Sequence, residues 1–306
     1  MSLSRINLSS VPFGVETAGL SEPTSIALAS SIQCIPIQTP LCSAAIATTY
    51  VCLGGEQNQG KTPILLLHGF DSSVLEFRRL LPLLAAHHPV WAIDLLGFGF
   101  TERPSNLAIS SAAIRQHLHC FWQKVLTEPV VLVGASMGGA AAIDFAIAFP
   151  DAVKKLVLID SAGYRSGPAL GKALIQPLGY WATEKFLRKP SVRQKISEKA
   201  YFDPTFASLD AQHCAALHLN SPNWAQALIS FTRSGGYRSL RSHLSQLTMP
   251  TLLVWGEADQ ILGTKDAQPF QRKIPQSQLV WIPNCGHVPH LEQPDQTSEA
   301  ILQFIA

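Results

Sequence analysis

Pro129-Val130-Val131-Leu132-Val133-Gly134-Ala135-Ser136-Met137-Gly138-Gly139-Ala140 joins an apolar run to a Gly-x-Ser-x-Gly and a small-residue stretch. Residues 129–133, mostly β-branched and apolar, predict a fully buried strand, and residues 140–149 predict a helix. The Gly-x-Ser-x-Gly of residues 134–138 therefore falls on a sharp strand-to-helix turn, the setting of a nucleophile elbow. A serine hydroxyl is a weak nucleophile unless it is raised out of the sheet, close to a base and beside backbone N–H groups that can receive a developing oxyanion. Gly134 and Gly138 are expected to let the backbone turn and let neighbouring elements pack close. A bare Gly-x-Ser-x-Gly arises by chance in roughly one chain in ten of this length at average residue usage, so its surroundings must decide.

Working outward, short apolar strands alternate with longer helical stretches. Strands are expected at residues 64–67, 90–95 and 155–159, with helices at 73–86 and 111–126 between them. Such alternation means right-handed β-α-β units and a parallel sheet with helices on both faces. Upstream, 31–38 and 45–53 read as two strands of an antiparallel edge. Strand signals stop between about 163 and 243, where Leu174, Leu178, Trp181 and Phe186 fall at roughly helical spacing. The sheet pattern resumes with a strand at 251–255, a helix at 264–273, a strand at 278–282 and a final helix over 294–305. The expected organisation is an N-terminal arm at 1–30 without a clear period, a core at 31–163, a helical lid at 164–243 and the second part of the core at 244–306.

Composition narrows the class. With 306 residues and 47% hydrophobic content the chain can bury a large core, and a net charge of +2 argues against a dedicated nucleic-acid partner. The six cysteines show no Cys-x-x-Cys pair, so they read as reduced and mostly buried, and a reducing compartment follows. The N-terminus has no basic segment followed by a long apolar region, and no uncharged apolar run is long enough to span a bilayer. The expected localisation is cytoplasmic.

Two further signals surround the elbow. His68-Gly69-Phe70 follows the strand at 64–67, and the Phe70 N–H together with the Met137 N–H would make a two-donor oxyanion hole. Asp259 follows the strand at 251–255, and His287 follows the strand at 278–282. Ser136, Asp259 and His287 thus stand in the order nucleophile, acid, base, each just past the C-terminal end of a strand, where sites collect in open α/β sheets. Asp160 also ends a strand and is the alternative acid. Asp259 is favoured because its strand immediately precedes the one that carries His287. His290 reads as a helix-start residue, His68 as loop packing and Asp94 as a loop-fixing carboxylate.

This constellation resembles the α/β-hydrolase superfamily over residues 31–306, which implies an α/β-hydrolase fold with a mostly parallel central sheet, helices on both faces and a helical lid. Fold alone does not fix substrate, since esterases, thioesterases, haloperoxidases and C–C bond hydrolases share it. Four stretches are similar to a narrower family, the plastid and cyanobacterial chlorophyll dephytylases. They are Leu67-His68-Gly69-Phe70-Asp71-Ser72-Ser73 with Leu75-Glu76-Phe77-Arg78, Trp91 to Phe100, Phe231-Thr232-Arg233-Ser234-Gly235-Gly236-Tyr237, and Cys285-Gly286-His287-Val288-Pro289-His290. The resemblance implies a serine ester hydrolase that frees phytol from chlorophyll or pheophytin, with Ser136, Asp259 and His287 as its triad and no metal or organic cofactor. Absence of a long transit segment fits a cyanobacterial source. A non-catalytic pigment carrier would have no need for an ordered acid and base.

The lid adds a substrate reading of its own. Between Arg165 and Lys199 stand eight basic residues against two acids, beside Leu174, Leu178, Trp181 and Phe186 as candidate substrate contacts. A basic amphipathic helix favours an anionic membrane surface, so peripheral contact with a thylakoid membrane is expected. The plainer alternative is a lid whose apolar face covers the site and whose charges are solvated. Either way the substrate is lipophilic.

Overall fold

The computed structural model describes residues 19–165 and 184–306. Its strands are β1 (Gln33–Ile37), β2 (Ile46–Leu53), β3 (Ile64–Leu67), β4 (Val90–Ile93), β5 (Val130–Ala135), β6 (Val153–Ile159), β7 (Thr251–Gly256) and β8 (Ser277–Ile282). They form one sheet in the order β1-β2-β4-β3-β5-β6-β7-β8. β1 pairs with β2, and β2 with β4, antiparallel; every pairing from β4 to β8 is parallel.

Alternation along the strands sends successive side chains to opposite faces and makes two cores. On one face Leu65, Leu67, Leu132, Leu156, Leu158 and Trp255 pack with helix residues such as Ile114, Phe121 and Phe145. On the other, Ile64, Leu66, Val131, Val133, Val157 and Val254 pack with Leu28, Leu80, Leu84 and Ile301. Strands buried on both faces need apolar residues at every position, which is why β3 and β5 read as unbroken apolar runs.

Helices α1 (Pro23–Ser30), α2 (Leu80–Ala85), α3 (Ser111–Val125) and α4 (Met137–Ala148) belong to the first part of the chain. α3 is capped by Ser110 Oγ, which accepts from the Ala113 N–H, and buries a stripe of Ala113, Ile114, His117, Leu118 and Phe121. α4 is apolar on all sides and therefore buried, and its run of Gly138, Gly139 and three alanines lets it lie close to the sheet. The helix expected over 73–86 is divided into a 3₁₀ turn (Val74–Phe77) and α2. Pro82 sits in the first turn of α2, where a missing N–H costs no helical bond, so the helix starts at Leu80.

The stretch 1–30 was expected to lack a period, yet its described part holds α1. This helix is short, without an apolar stripe, and is fixed by tertiary contacts: Ser21 N, Glu22 N and Ser25 Oγ all donate to the Asp210 carboxylate. Between 184 and 243 the described elements are helical: α5 (Pro190–Ala200), α6 (Leu209–Ala216), a 3₁₀ turn (Leu217–Asn220) and α7 (Trp224–Arg233). The chain then returns to β7, α8 (Ala267–Lys273), β8, the short α9 (Pro289–Glu292) and α10 (Pro294–Ile305). Leu174, Leu178 and Trp181 lie outside the described residues. No described helix is long and apolar enough to cross a membrane.

Candidate active site

The turn between β5 and α4 is a single residue. Ser136 takes φ 52° and ψ −117°, a conformation that costs a non-glycine residue strain and that its neighbours must hold in place. Gly134 and Gly138 serve the elbow by close approach: a Cβ on Gly134 would strike the Gly138 carbonyl, and one on Gly138 would strike the carbonyls of Leu67 and His68. The elbow is further held by Ser136 N donating to Ile159 O at 2.9 Å and Ala162 N donating to Ser136 O at 2.9 Å.

His287 lies beyond β8, and its Nε2 is 2.9 Å from Ser136 Oγ. Its Nδ1 is 3.0 Å from Asp259 Oδ2, on the loop after β7. With Asp259 ionised, Nδ1 carries the ring proton and donates it, leaving Nε2 to accept from the serine hydroxyl. The two loops meet because Gly256 leaves room: a Cβ there would collide with the Gly286 carbonyl, and Ala258 N donates to Cys285 O at 2.9 Å. Burial pushes the Asp259 carboxyl up. The His287 hydrogen bond and charge, with the N–H groups of Ile261 and Leu262, outweigh burial and hold it below the usual carboxylate value.

Opposite the elbow, a Cβ on Gly69 would lie 3.5 Å from the Ser136 Cβ, so the peptide that carries the Phe70 N–H runs along the nucleophile. Met137 starts α4, where N–H groups at the helix end have no intrahelical partner. Gly69 is fixed in turn: its N–H donates to Glu76 Oε2 at 3.0 Å, and Glu76 Oε1 is 3.2 Å from His290 Nε2. Burial raises the Glu76 carboxyl, but the neighbouring His290 brings it down to about 2. His68 accepts from Leu95 N at Nε2 (3.1 Å), so Nδ1 donates to the Gly69 carbonyl (2.8 Å). Asp94 accepts from Val74 N at 2.7 Å and Phe100 N at 2.8 Å, a carboxylate that pins two loops.

Three carboxylates invisible as motifs tie the lid to this machinery. Asp71, next to Phe70, accepts from Arg193 Nη1 (2.8 Å), Trp224 Nε1 (2.7 Å) and His218 Nε2 (3.1 Å), all on the helical segment. Burial works against its charge, yet His218 and Arg193 pull it down to about 2. Glu292 accepts from Gly286 N (2.7 Å) in the base loop and from Phe202 N (3.0 Å) and Asp203 N (2.7 Å) after α5. Asp210 of α6 receives α1 as described above. The base loop also touches α5 directly, with His287 N donating to Ala200 O at 2.6 Å.

Ser136, His287, Gly69 and Phe70 share the wall of a cavity of about 330 Å³, whose remaining lining is mostly apolar and includes Leu75, Leu187, Ile196, Val288 and Leu291. Phe186 is not in that lining; it is 56% exposed, and Leu187, one residue on, is the side chain that turns inward. Two arginines do reach the wall, Arg78 and Arg193. Arg193 is paired with Asp71 at 2.8 Å, whereas Arg78 lies 3.8 Å from Glu22 and from Asp210 and leaves its Nε and Nη2 without a hydrogen-bond partner.

The alpha/beta hydrolase family profile matches residues 64–300. The chain is 34% identical to the alpha/beta hydrolase domain-containing protein VTE7 of Arabidopsis thaliana over 292 residues, 94% of this chain and 88% of that one. It is 29% identical to Lipase 1 of Psychrobacter immobilis over 81% of this chain and 78% of the lipase. Among solved structures, a meta-cleavage product hydrolase of Pseudomonas fluorescens superposes with a TM-score of 0.72 at 22% identity, covering 88% of this chain and 97% of that one, a likeness of fold alone. By its sheet, its strand-to-helix serine turn and these matches, the chain belongs to the alpha/beta hydrolase family.

Proposed function

We propose that the protein is a serine carboxylic ester hydrolase that removes the phytyl chain from chlorophyll or pheophytin. Ser136 Oγ attacks the ester carbonyl while His287 Nε2 takes its proton and Asp259 holds the ring and its developing charge. The Phe70 and Met137 N–H groups receive the oxyanion. The C–O bond to phytol breaks as His287 returns the proton to the leaving alcohol. Water, deprotonated by His287, then releases the chlorophyllide carboxylate from Ser136.

The observation that carries the reading is the apolar cavity of about 330 Å³ that opens directly onto Ser136 and His287. A long hydrocarbon chain gains roughly 0.8 kcal/mol for each CH₂ buried, so such a cavity selects for it. At the mouth, the Phe70 ring is 47% exposed and backed by Phe98 at 5.8 Å and Phe231 at 6.2 Å, a rigid aromatic surface for a flat acyl group.

The same reading includes peripheral docking on an anionic membrane. Ile196 lines the cavity and is also 52% exposed, with Phe186, Phe202 and Leu209 exposed on the same helical segment. The basic excess is smaller in the fold than in the sequence, because Arg165 pairs with Asp266 and Arg193 with Asp71, two acids from outside the segment. Lys189, Lys195 and Lys199 are exposed and flank the apolar side chains. The test of the function is product analysis with chlorophyll a, pheophytin a and p-nitrophenyl esters side by side. Phytol release from a pigment supports it, whereas turnover of p-nitrophenyl esters alone would reduce it to a generic carboxylesterase.

A further inference from the structure

Asp160 ends β6 beside the candidate triad and has no part in the steps above. Its side chain is fully buried, and its backbone sits at φ 39°, a left-handed conformation that the surroundings must enforce. One oxygen of Asp160, one of Asp259 and a ring nitrogen of His287 all lie within 4.8 Å of one another. Two ionised carboxylates at that separation, shut away from water, repel strongly, so one of them must hold a proton.

Their surroundings decide which. Asp259 accepts from the Ile261 N–H (2.7 Å), the Leu262 N–H (3.1 Å) and His287 Nδ1, a ring that becomes cationic during turnover. Asp160 has only the Gly256 N–H, at 3.1 Å and 3.3 Å from its two oxygens, and no hydrogen bond to the ring. Burial, and then the Asp259 charge, push the Asp160 carboxyl well above its ordinary value. Environments that drive two adjacent carboxyl groups apart assign the proton to one and the charge to the other. The geometry also separates Asp160 from the role of triad acid, since the hydrogen-bond partner of Nδ1 is Asp259.

We infer that Asp160 is a neutral carboxylic acid whose O–H donates to the Asp259 carboxylate, and that it acts as a positioning residue for the base. The Gly256 N–H anchors Asp160 on the strand neighbouring Asp259, and the proton on the other side of the same carboxyl orients Asp259 toward the ring. Four donors then surround the Asp259 carboxylate, two from its own loop, one from β6 and one from His287. The inference rests on the Ser136–His287–Asp259 reading but not on the identity of the ester.

The test compares Asp160→Asn with Asp160→Ala. The amide keeps an acceptor for Gly256 and a donor for Asp259 at almost the same shape, while alanine keeps neither. With a soluble p-nitrophenyl ester, Asp160→Asn should retain kcat within about threefold, and Asp160→Ala should lose at least about tenfold in kcat with KM little changed. The infrared difference between the wild-type protein and Asp160→Asn at neutral pH should contain a protonated-carboxyl C=O stretch. Should Asp160→Ala fail to fold, the infrared band and the Asp160→Asn rate still decide. Equal damage in both variants, full activity in a folded Asp160→Ala, or no protonated-carboxyl band would overturn the inference. Failure of the triad reading itself would show separately, as activity surviving in Ser136→Ala.

Discussion

Ser136 sits in a backbone conformation that a non-glycine residue rarely adopts, and its side chain touches the ring of His287 and little else that holds the core. Ser136→Ala and His287→Ala should therefore cut ester hydrolysis by at least about 10³-fold, Ser136→Ala with little change in thermal midpoint and His287→Ala with some loss, because it strips buried Asp259 of its partner. Rate assays and calorimetry on the purified variants check this, and substantial activity in either would end the assignment. Asp259→Asn should cost far more rate than Asp160→Asn; the reverse ranking would move the acid to β6. These residues were legible in the sequence because each follows an apolar run that can only be a strand. Asp71, Glu76 and Glu292 were not legible. The partners that tie Asp71 and Glu292 to the helical segment lie far along the chain, 122 residues away for Asp71 and Arg193 and 90 for Glu292 and Phe202, and a lone acid beside a loop shows no period.

Among the elements, the helical segment is joined to the core by the apolar packing of Leu219, Trp224, Leu228 and Phe231 and by carboxylates, among them Asp71 beside Phe70. Its folded value of about 2 lies below its ordinary 3.8, so its ionisation stabilises the fold fully above about pH 4, and that stability is lost as pH falls through 2. The shift corresponds to on the order of 2 kcal/mol. Asp71→Asn also leaves Arg193, only 16% exposed, without its charge partner. Urea unfolding of both proteins between pH 3 and 7 should show the variant less stable at neutral pH, with the gap narrowing below about pH 4. A gap independent of pH would mean that Asp71 acts through shape alone. The placement of α1 was set by such tertiary contacts, through Asp210. An eight-residue helix with no apolar stripe gives periodicity nothing to detect.

Taken whole, the molecule is a sheet whose parallel strands converge their C-terminal loops on one serine, with helices folded over the cavity that opens there. Parallel strands and crossover helices were readable because burial on both faces forces apolar runs, whereas the charge pairing that trims the basic segment is a three-dimensional property. If the helical segment docks on anionic membranes, reversing Lys189, Lys195 and Lys199 to Glu should weaken sedimentation with anionic liposomes at low salt. It should slow turnover of membrane-embedded pigment, while a soluble short-chain ester is hydrolysed at nearly the wild-type rate. Equal loss on both substrates would place those lysines in support of the cavity instead.

Cleavage of a phytylated pigment by Ser136 is open to a direct test. Purified protein and its Ser136→Ala variant are incubated with detergent-dispersed chlorophyll a, and the pigments and alcohols are separated by chromatography. Chlorophyllide a and phytol are expected in equal amounts from the wild-type protein and neither from the variant. Intact chlorophyll after incubation with a preparation that hydrolyses p-nitrophenyl esters would contradict it.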